Sequence, residues 1–229
     1  MPEQRCRIGG ALVFPPFIIY SADMKLIIIS DTHGQHEHLD IPEGDVLIHA
    51  GDFTEHGTVA EAEAFDRFLD TLPHPHKLVI AGNHDFAFEQ RPDDAEAVMR
   101  HCTYLKDSGI TIDGVHFYGS PWQPWFMDWA FNLPRGDALR EKWDMIPGHT
   151  DVLITHGPPL GQGDRIYSGD QVGCDELTKA VERIRPKLHI FGHIHESYGI
   201  TENEHTAFIN ACSCNMKNRA DNPPIVVEI

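Results

Sequence analysis

The sequence has few cationic side chains. Its 229 residues include 18 lysines and arginines against 35 aspartates and glutamates, which gives a formal net charge of −17 at pH 7. A protein that holds nucleic acid mainly through its phosphates needs the opposite balance. The composition therefore predicts no nucleic-acid partner.

Cysteine is also scarce, and the five cysteines have no regular spacing. The pair Cys212 and Cys214 is too close for half of a zinc ribbon, and no second pair matches it. We expect free thiols in a reducing compartment, so the prediction for location is cytoplasmic.

Long hydrophobic runs are missing as well. The apolar stretch from Ile8 to Tyr20 is interrupted by Pro15-Pro16 and is too short to cross a bilayer. We expect no membrane contact. Residues 1–23 are interpreted as an N-terminal extension, and residues 24–229 as one domain whose apolar content is sufficient for a core.

What the chain does contain is five apolar, strand-like runs that each end in a polar cluster. The runs and clusters are Leu26–Ser30 before Asp31-Thr32-His33, Val46–Ala50 before Gly51-Asp52, Leu78–Ala81 before Gly82-Asn83-His84-Asp85, Val152–Thr155 before His156-Gly157, and Leu188–Phe191 before Gly192-His193-Ile194-His195. Aspartate, asparagine and histidine supply ligands that divalent transition metals accept. We expect the five clusters to converge on one edge of a sheet and to form a metal site there.

The segments between these runs indicate a mixed, layered α/β domain. Helices are predicted over residues 59–72, 93–101, 136–143 and 173–185, and further strands over residues 110–112, 115–118, 206–210 and 225–229. Continuous apolar strands such as Leu26-Ile27-Ile28-Ile29 are typical of strands buried on both faces.

Together, the ordered clusters resemble the calcineurin-like metallophosphoesterase superfamily, over residues 24–229. Further segments resemble one branch, the metallophosphoesterase-domain-containing (MPPED-type) proteins. These segments are Gly51-Asp52-Phe53-Thr54-Glu55, Gly119-Ser120-Pro121-Trp122, Phe131-Asn132-Leu133-Pro134-Arg135-Gly136, Thr155-His156-Gly157-Pro158-Pro159-Leu160-Gly161 and Asn222-Pro223-Pro224-Ile225. The resemblance implies a four-layer α-β-β-α sandwich of two mixed sheets, with the metal site at strand ends.

The resemblance also implies a site with two divalent ions, of which manganese is the first expectation and iron, zinc, magnesium or cobalt are alternatives. Its ligands would be Asp31, His33 and His195 for one ion, Asn83, His156 and His193 for the other, and Asp52 as the bridge. A bridging ligand needs two oxygen atoms, which only the carboxylate offers. If Gly192–His195 is extended, its two imidazoles face the same side; if the backbone bends, they can serve neighbouring metals.

The implied reaction is phosphoester hydrolysis, in which a hydroxide that bridges the two metals attacks phosphorus. His84 is predicted to be the general acid that protonates the leaving oxygen, because the pKa of histidine lies near working pH. Asp85 either orients the His84 imidazole or is a local turn-former.

Predictions for substrate contacts are less direct. Asn210 is expected to contact phosphate, although Cys212 stands where the related branch has serine in Asn-Ala-Ser. The aromatic loop that contains Trp122, Trp125, Phe126, Trp129 and Phe131 either covers the sheet edge or stacks on a base or aryl group of the substrate. Trp122 is the candidate substrate contact.

The partner implied is a small phosphoester or nucleotide, with phosphodiesters, including cyclic nucleotides and aryl phosphodiesters, favoured over monoesters. The alternative is a regulatory protein that binds a nucleotide with weak or no turnover. Because His193 and His195 are both present, the sequence favours an enzyme.

Other histidines carry no ligand pattern. His49 and His189 lie inside strand-like runs and are predicted to be hydrogen-bonded core residues. His36 and His74 are predicted to be solvated loop residues.

Overall fold

The computed structural model describes residues 24–229, so the predicted N-terminal extension, residues 1–23, lies outside the described residues. In chain order the strands are β1 (Lys25–Ile29), β2 (Val46–His49), β3 (His76–Val79), β4 (Thr103–Tyr104), β5 (Ser108–Ile112), β6 (Val115–Ser120), β7 (Gln123–Pro124), β8 (Asn132–Leu133), β9 (Val152–Thr155), β10 (Leu188–Phe191), β11 (Gly199–Glu202), β12 (Ala207–Asn210) and β13 (Ile225–Glu228). The helices are α1 (Val59–Asp70), α2 (Phe86–Gln90), α3 (Pro92–Val98), α4 (Asp137–Asp144) and α5 (Asp175–Ile184).

The strands form two large mixed sheets. The first has the order β13-β1-β2-β3-β4 and the second β11-β12-β10-β9-β6-β5. β1, β2 and β3 run parallel to one another, as do β9, β10 and β12, while β13, β11 and β5 are antiparallel to their neighbours. Strands β7 and β8 form a separate short ribbon.

Three apolar clusters show that the domain has four layers. One cluster lies between the sheets and joins, for example, Ile28 of β1 with Ile190 of β10. A second packs the outer face of the first sheet against α1, where Phe65 is buried, and a third packs the second sheet against α4 and α5, where Trp143 is buried. The predicted α-β-β-α sandwich of two mixed sheets is confirmed.

Local sequence explains most of the elements. Helix α1 begins at a capping box in which the Glu61 backbone N–H donates to the Thr58 hydroxyl and the Thr58 backbone N–H donates to the Glu61 carboxylate. The predicted helices over residues 59–72, 93–101, 136–143 and 173–185 correspond to α1, α3, α4 and α5. The sequence does not predict helix α2 or strands β4, β7, β8 and β11. None of the helices in residues 24–229 is long and apolar enough to cross a bilayer.

The structure agrees with two of the four histidine predictions and contradicts the other two. His49 and His189 are buried and pair with the hydroxyls of Thr32, at 2.9 Å, and Thr155, at 2.8 Å, as predicted. The prediction for His36 and His74 was wrong, because both are buried. His36 is covered by the rings of Phe65 and Phe68 on α1, and His74 pairs with the carbonyl of Pro42.

Candidate metal centre

The five polar clusters meet between two sheets, and this corrects the expectation of a single sheet edge. Parallel strands β1, β2 and β3 of the first sheet end at the clusters of Asp31, Asp52 and Asn83. Parallel strands β9 and β10 of the second sheet end at His156 and His193. The sheets meet here directly, since His156 Nδ1 lies 3.0 Å from the carbonyl of Ala50 on the other sheet.

Several residues of the site have a left-handed backbone conformation, which residues other than glycine rarely adopt. Four of the predicted ligands have positive φ: Asp31 at 49°, His33 at 43°, Asp52 at 57° and His193 at 68°. Such strain persists only where surrounding contacts fix it, and it concentrates at functional sites. Here the contacts include the backbone hydrogen bond from the His33 N–H to the carbonyl of Asp52, at 3.0 Å.

Asp31, His33 and His195 form one side of the centre. His195 Nε2 lies 3.4 Å from Asp31 Oδ1 and 3.3 Å from His33 Nε2. His195 Nδ1 faces the carbonyl of Asn215 at 3.3 Å, so that an N–H donated there leaves Nε2 free to bind a metal. Two imidazole nitrogens that point at each other are arranged as two ligands of one ion would be.

Asn83, His156 and His193 form the other side. Asn83 Oδ1 lies 2.8 Å from His156 Nε2, and the rings of His156 and His193 are 5.0 Å apart. His156 donates its Nδ1 proton to the Ala50 carbonyl, which again leaves Nε2 for the centre.

Asp52 lies between the two sides. Its Oδ2 is 3.4 Å from His156 Nε2 and 3.9 Å from His33 Nε2, whereas its Oδ1 accepts the backbone N–H of His84 at 2.7 Å. The single oxygen Oδ2 therefore faces both groups of predicted ligands, which differs from the expectation that a bridge uses two oxygens.

The Gly192–His195 segment bends, which decides between the two arrangements that the sequence leaves open. His193 has a left-handed backbone, and a 3₁₀ turn begins at His195. The imidazole of His193 therefore lies beside His156, while that of His195 lies beside His33.

The electrostatics of the centre favour bound positive charge. Burial alone would raise the pKa of Asp31 and of Asp52, but the neighbouring imidazoles hold both pKa values well below the usual range. Burial works to lower the pKa of His156, yet the Asp52 carboxylate raises it to about 9. For His193, burial prevails and lowers the pKa to about 4.

These residues fit a pair of divalent ions. Among residues 24–229, the ion-pair partners of the buried Asp31 and Asp52 are histidines alone, at 3.4 to 3.9 Å. Buried carboxylates need compensating charge. A pair of divalent ions would supply that charge.

His84 and Asp85 are placed differently from each other. His84 is half-buried and lines a cleft of about 590 Å³, and its Nδ1 faces the carbonyl of Glu55 at 3.0 Å, which leaves Nε2 for the cleft. Asp85 is fully buried and accepts the N–H groups of Asp52, Thr54 and Gly82 and the hydroxyl of Thr54.

The predicted pairing of Asp85 with the His84 imidazole is therefore corrected. The carbonyl of Glu55 orients that ring. Asp85 fixes the loops that carry Asp52 and Asn83, and burial together with the charge of Asp52 raises its pKa to about 7.

Both predicted substrate contacts are also corrected. Asn210 is buried and donates both amide hydrogens to the carbonyls of Gly163 and Ile194, so it holds the histidine loop instead of contacting phosphate. Trp122 donates to Asp107 at 2.8 Å and lies under the ammonium of Lys142, away from the cleft.

The sequence analysis named Phe126 and Trp129 of the aromatic loop as possible substrate contacts, but it missed the rest of the cleft walls. The lining residues beyond the predicted ligands and His84 are Glu55, His56, Phe126, Trp129, Glu196, Asn215, Met216 and Asn218. Trp129 belongs to the aromatic loop that the sequence singles out, but nothing in its spacing separates it from Trp122. The loop of Asn215 and Asn218 carries no pattern of its own.

Cys212 takes part in the site. Its buried thiol lies 3.2 Å from Asp31 Oδ2, which also accepts the hydroxyl of Ser30 at 2.6 Å and the N–H of His193 at 3.0 Å. At this position, where the resembling branch has serine, a thiol of this chain contacts Asp31.

Comparison with known proteins shows the family and the fold of this chain. The family profile of the calcineurin-like phosphoesterases matches residues 24–197. The human metallophosphoesterase domain-containing protein 1 is 45% identical over 230 residues, covering 90% of this chain and 71% of the human protein. A 3',5'-cyclic-nucleotide phosphodiesterase of Nostoc is 27% identical, covering 69% of this chain and 58% of the relative. A crystal structure from Thermus thermophilus superposes with a TM-score of 0.60 at 14% identity, covering 82% of this chain and 89% of that one, which shows a shared fold.

Proposed function

This chain belongs to the calcineurin-like phosphoesterase family, within the branch of metallophosphoesterase domain-containing proteins, and we propose that it is a dinuclear metal-dependent phosphodiesterase. The family acts on small phosphoesters and uses a pair of divalent ions. The observation that carries the proposal is the position of Asp52, whose carboxylate faces His33 on one side and His156 on the other.

The proposed ligands form two groups. Asp31, His33 and His195 would hold one ion, and Asn83, His156 and His193 would hold the other, with Asp52 shared between them. Two ions so held would polarise the phosphoryl oxygens and activate water. Oxygen and imidazole donors suit manganese, which we propose first, although iron, zinc, magnesium and cobalt accept the same donors.

The other residues position and move protons. His84, with its Nδ1 turned to Glu55, presents Nε2 to the leaving oxygen as the general acid. Asp85 keeps the backbone N–H groups of Asp52 and Gly82 in place through the hydrogen bonds that it accepts.

The charge of the cleft supports diesters over monoesters. Within residues 24–229, the side chains that line it include two glutamates, Glu55 and Glu196, and no lysine or arginine. A monoester dianion carries more charge into this acidic surrounding than a diester monoanion does. The name of the Nostoc relative points to the same class. A cytoplasmic location stays a prediction.

The proposal is tested by metal analysis and by exchanging the leaving group. In manganese-loaded protein, His84→Gln should lower kcat for a diester with an alkyl leaving group by about 100-fold or more, the usual contribution of general acid catalysis. The loss should be much smaller for 4-nitrophenolate, which departs without a proton. His56→Gln, at an exposed histidine of the same cleft, is the matched control.

Two results would contradict the proposal. A dinuclear centre is excluded if the purified protein retains fewer than two equivalents of divalent ions in total. The nucleotide-binding regulator is favoured instead by two observations made together. The loaded protein turns over no diester faster than His84→Gln does, and it binds a mononucleotide tightly.

A further inference from the structure

One side of the cleft is aromatic. The ring of Trp129 lies 4.1 Å from that of His84 and 5.9 Å from that of Phe86, so the indole is anchored beside the proposed acid. Phe126 lines the same cleft and is 53% exposed.

The backbone that carries Phe126 is fixed. The Asn132 side chain donates to the carbonyl of Phe126 at 3.1 Å and to that of Met127 at 3.0 Å. The exposed phenyl ring is therefore presented on a braced loop.

An apolar side chain also lines the cleft from another loop. Met216 is 59% exposed, and the adjacent Asn215 accepts the Nδ1 proton of His195 through its carbonyl. Apolar groups thus flank the centre from the loop beside His84 and from the loop beside His195. Aromatic and apolar side chains that line a cleft are typical of a ligand-binding position.

We propose that Phe126, Trp129 and Met216 form a ring subsite that binds an uncharged, planar aromatic ring carried by the phosphoester substrate. This rests on the proposed function and adds a substrate class to it. Stacking on indole and phenyl faces and contact with a methionine sulfur suit any flat ring, whether a nucleobase or a phenyl group. The acidic rim of Glu55 and Glu196 disfavours a ring that carries a negative charge.

The test is calorimetric titration of manganese-loaded protein with two pairs of ligands that differ by a ring. Benzylphosphonate is compared with methylphosphonate, and adenosine 5'-monophosphate with ribose 5-phosphate. The member with the ring should bind about tenfold more tightly, the gain expected from one stacked ring. A gain in the first pair alone assigns an aryl ester, and a gain in the second assigns a nucleobase.

Variants identify the residues responsible. Trp129→Leu should abolish the gain, Trp129→Phe should keep most of it, and Phe126→Leu should reduce it. Trp125→Leu is the matched control, because Trp125 lies in the same loop at 60% exposure but does not line the cleft. Phe126→Leu also covers the case in which replacement of Trp129 disturbs folding.

Equal binding within each pair, or a gain that survives in both Trp129→Leu and Phe126→Leu, overturns the ring subsite. The titration requires no turnover. Absence of diester hydrolysis would therefore defeat the proposed phosphodiesterase while the ring gain could still be measured.

Discussion

At the scale of the residue, the two carboxylate oxygens of the proposed ligand Asp31 have different surroundings. One of its oxygens, Oδ2, accepts hydrogen bonds from the Ser30 hydroxyl and the Cys212 thiol, and the backbone N–H of His193 lies 3.0 Å from both oxygens. Oδ1 is the oxygen near His195. Because Oδ2 carries two further hydrogen bonds within the protein, Oδ1 is the oxygen more available to a metal.

Cys212→Ala should weaken divalent-metal binding by about tenfold, the lower range for loss of an outer hydrogen bond to a ligand. Cys212→Ser should restore the affinity, since a hydroxyl also donates. Chelator competition measures both constants. The half-buried Cys102 is the control site for the same alanine change. Unchanged affinity in Cys212→Ala would show that the thiol does not orient Asp31.

At the scale of the element, the loops after β1 and β10 touch so closely that only glycine fits between them. A Cβ on Gly192 would overlap Asp31 Oδ2 and Ser30 Oγ. The backbone of Gly192 has no positive φ in the structure, so the requirement here is for space and not for conformation.

Gly192→Ala should therefore displace Asp31, reduce the metal content below two equivalents and destabilise the fold by about 1–3 kcal/mol, as overpacking does. Urea unfolding and metal analysis measure the two effects. Gly148→Ala is the control, because a Cβ there meets nothing within 4 Å. A Gly192→Ala protein as stable and as metal-loaded as Gly148→Ala would refute the close fit.

At the scale of the whole molecule, burial of neutral histidines makes the fold sensitive to acid. Burial lowers the pKa of His36 to about 4, and that of His49 and of His189 to about 3. In the unfolded chain these groups titrate near pH 6.5. The unfolded state therefore binds more protons between these values, and stability falls as the pH decreases.

His36→Leu should remove part of the stability loss that occurs as the pH decreases. For a shift of this size, His36 alone costs about 2 kcal/mol of unfolding free energy between pH 7 and pH 5. Urea unfolding of metal-free wild type and variant at both pH values gives the difference. His38→Leu, at an exposed neighbour, should leave the pH dependence unchanged. Equal pH dependence in wild type and His36→Leu would exclude the His36 contribution.

The sequence alone determined the layered class, most strands and helices, and the set of polar groups that meet. Apolar periodicity and the residues at strand ends are local properties, so they can be read without the fold. Helix α2 and strands β4, β7, β8 and β11 were missed because one turn of helix, three strands of two residues and one strand of four mostly exposed residues carry too little periodicity.

Only the tertiary structure decided how these groups are used. In the folded chain the five clusters lie between two sheets, and the Gly192–His195 segment bends. Asp85 accepts hydrogen bonds from backbone amides, and Trp129 lines the cleft whereas Trp122 does not. His36 is also buried beneath α1. Each of these outcomes depends on contacts between residues far apart in the chain, and short-range pattern contains no information about which distant partner a loop will meet.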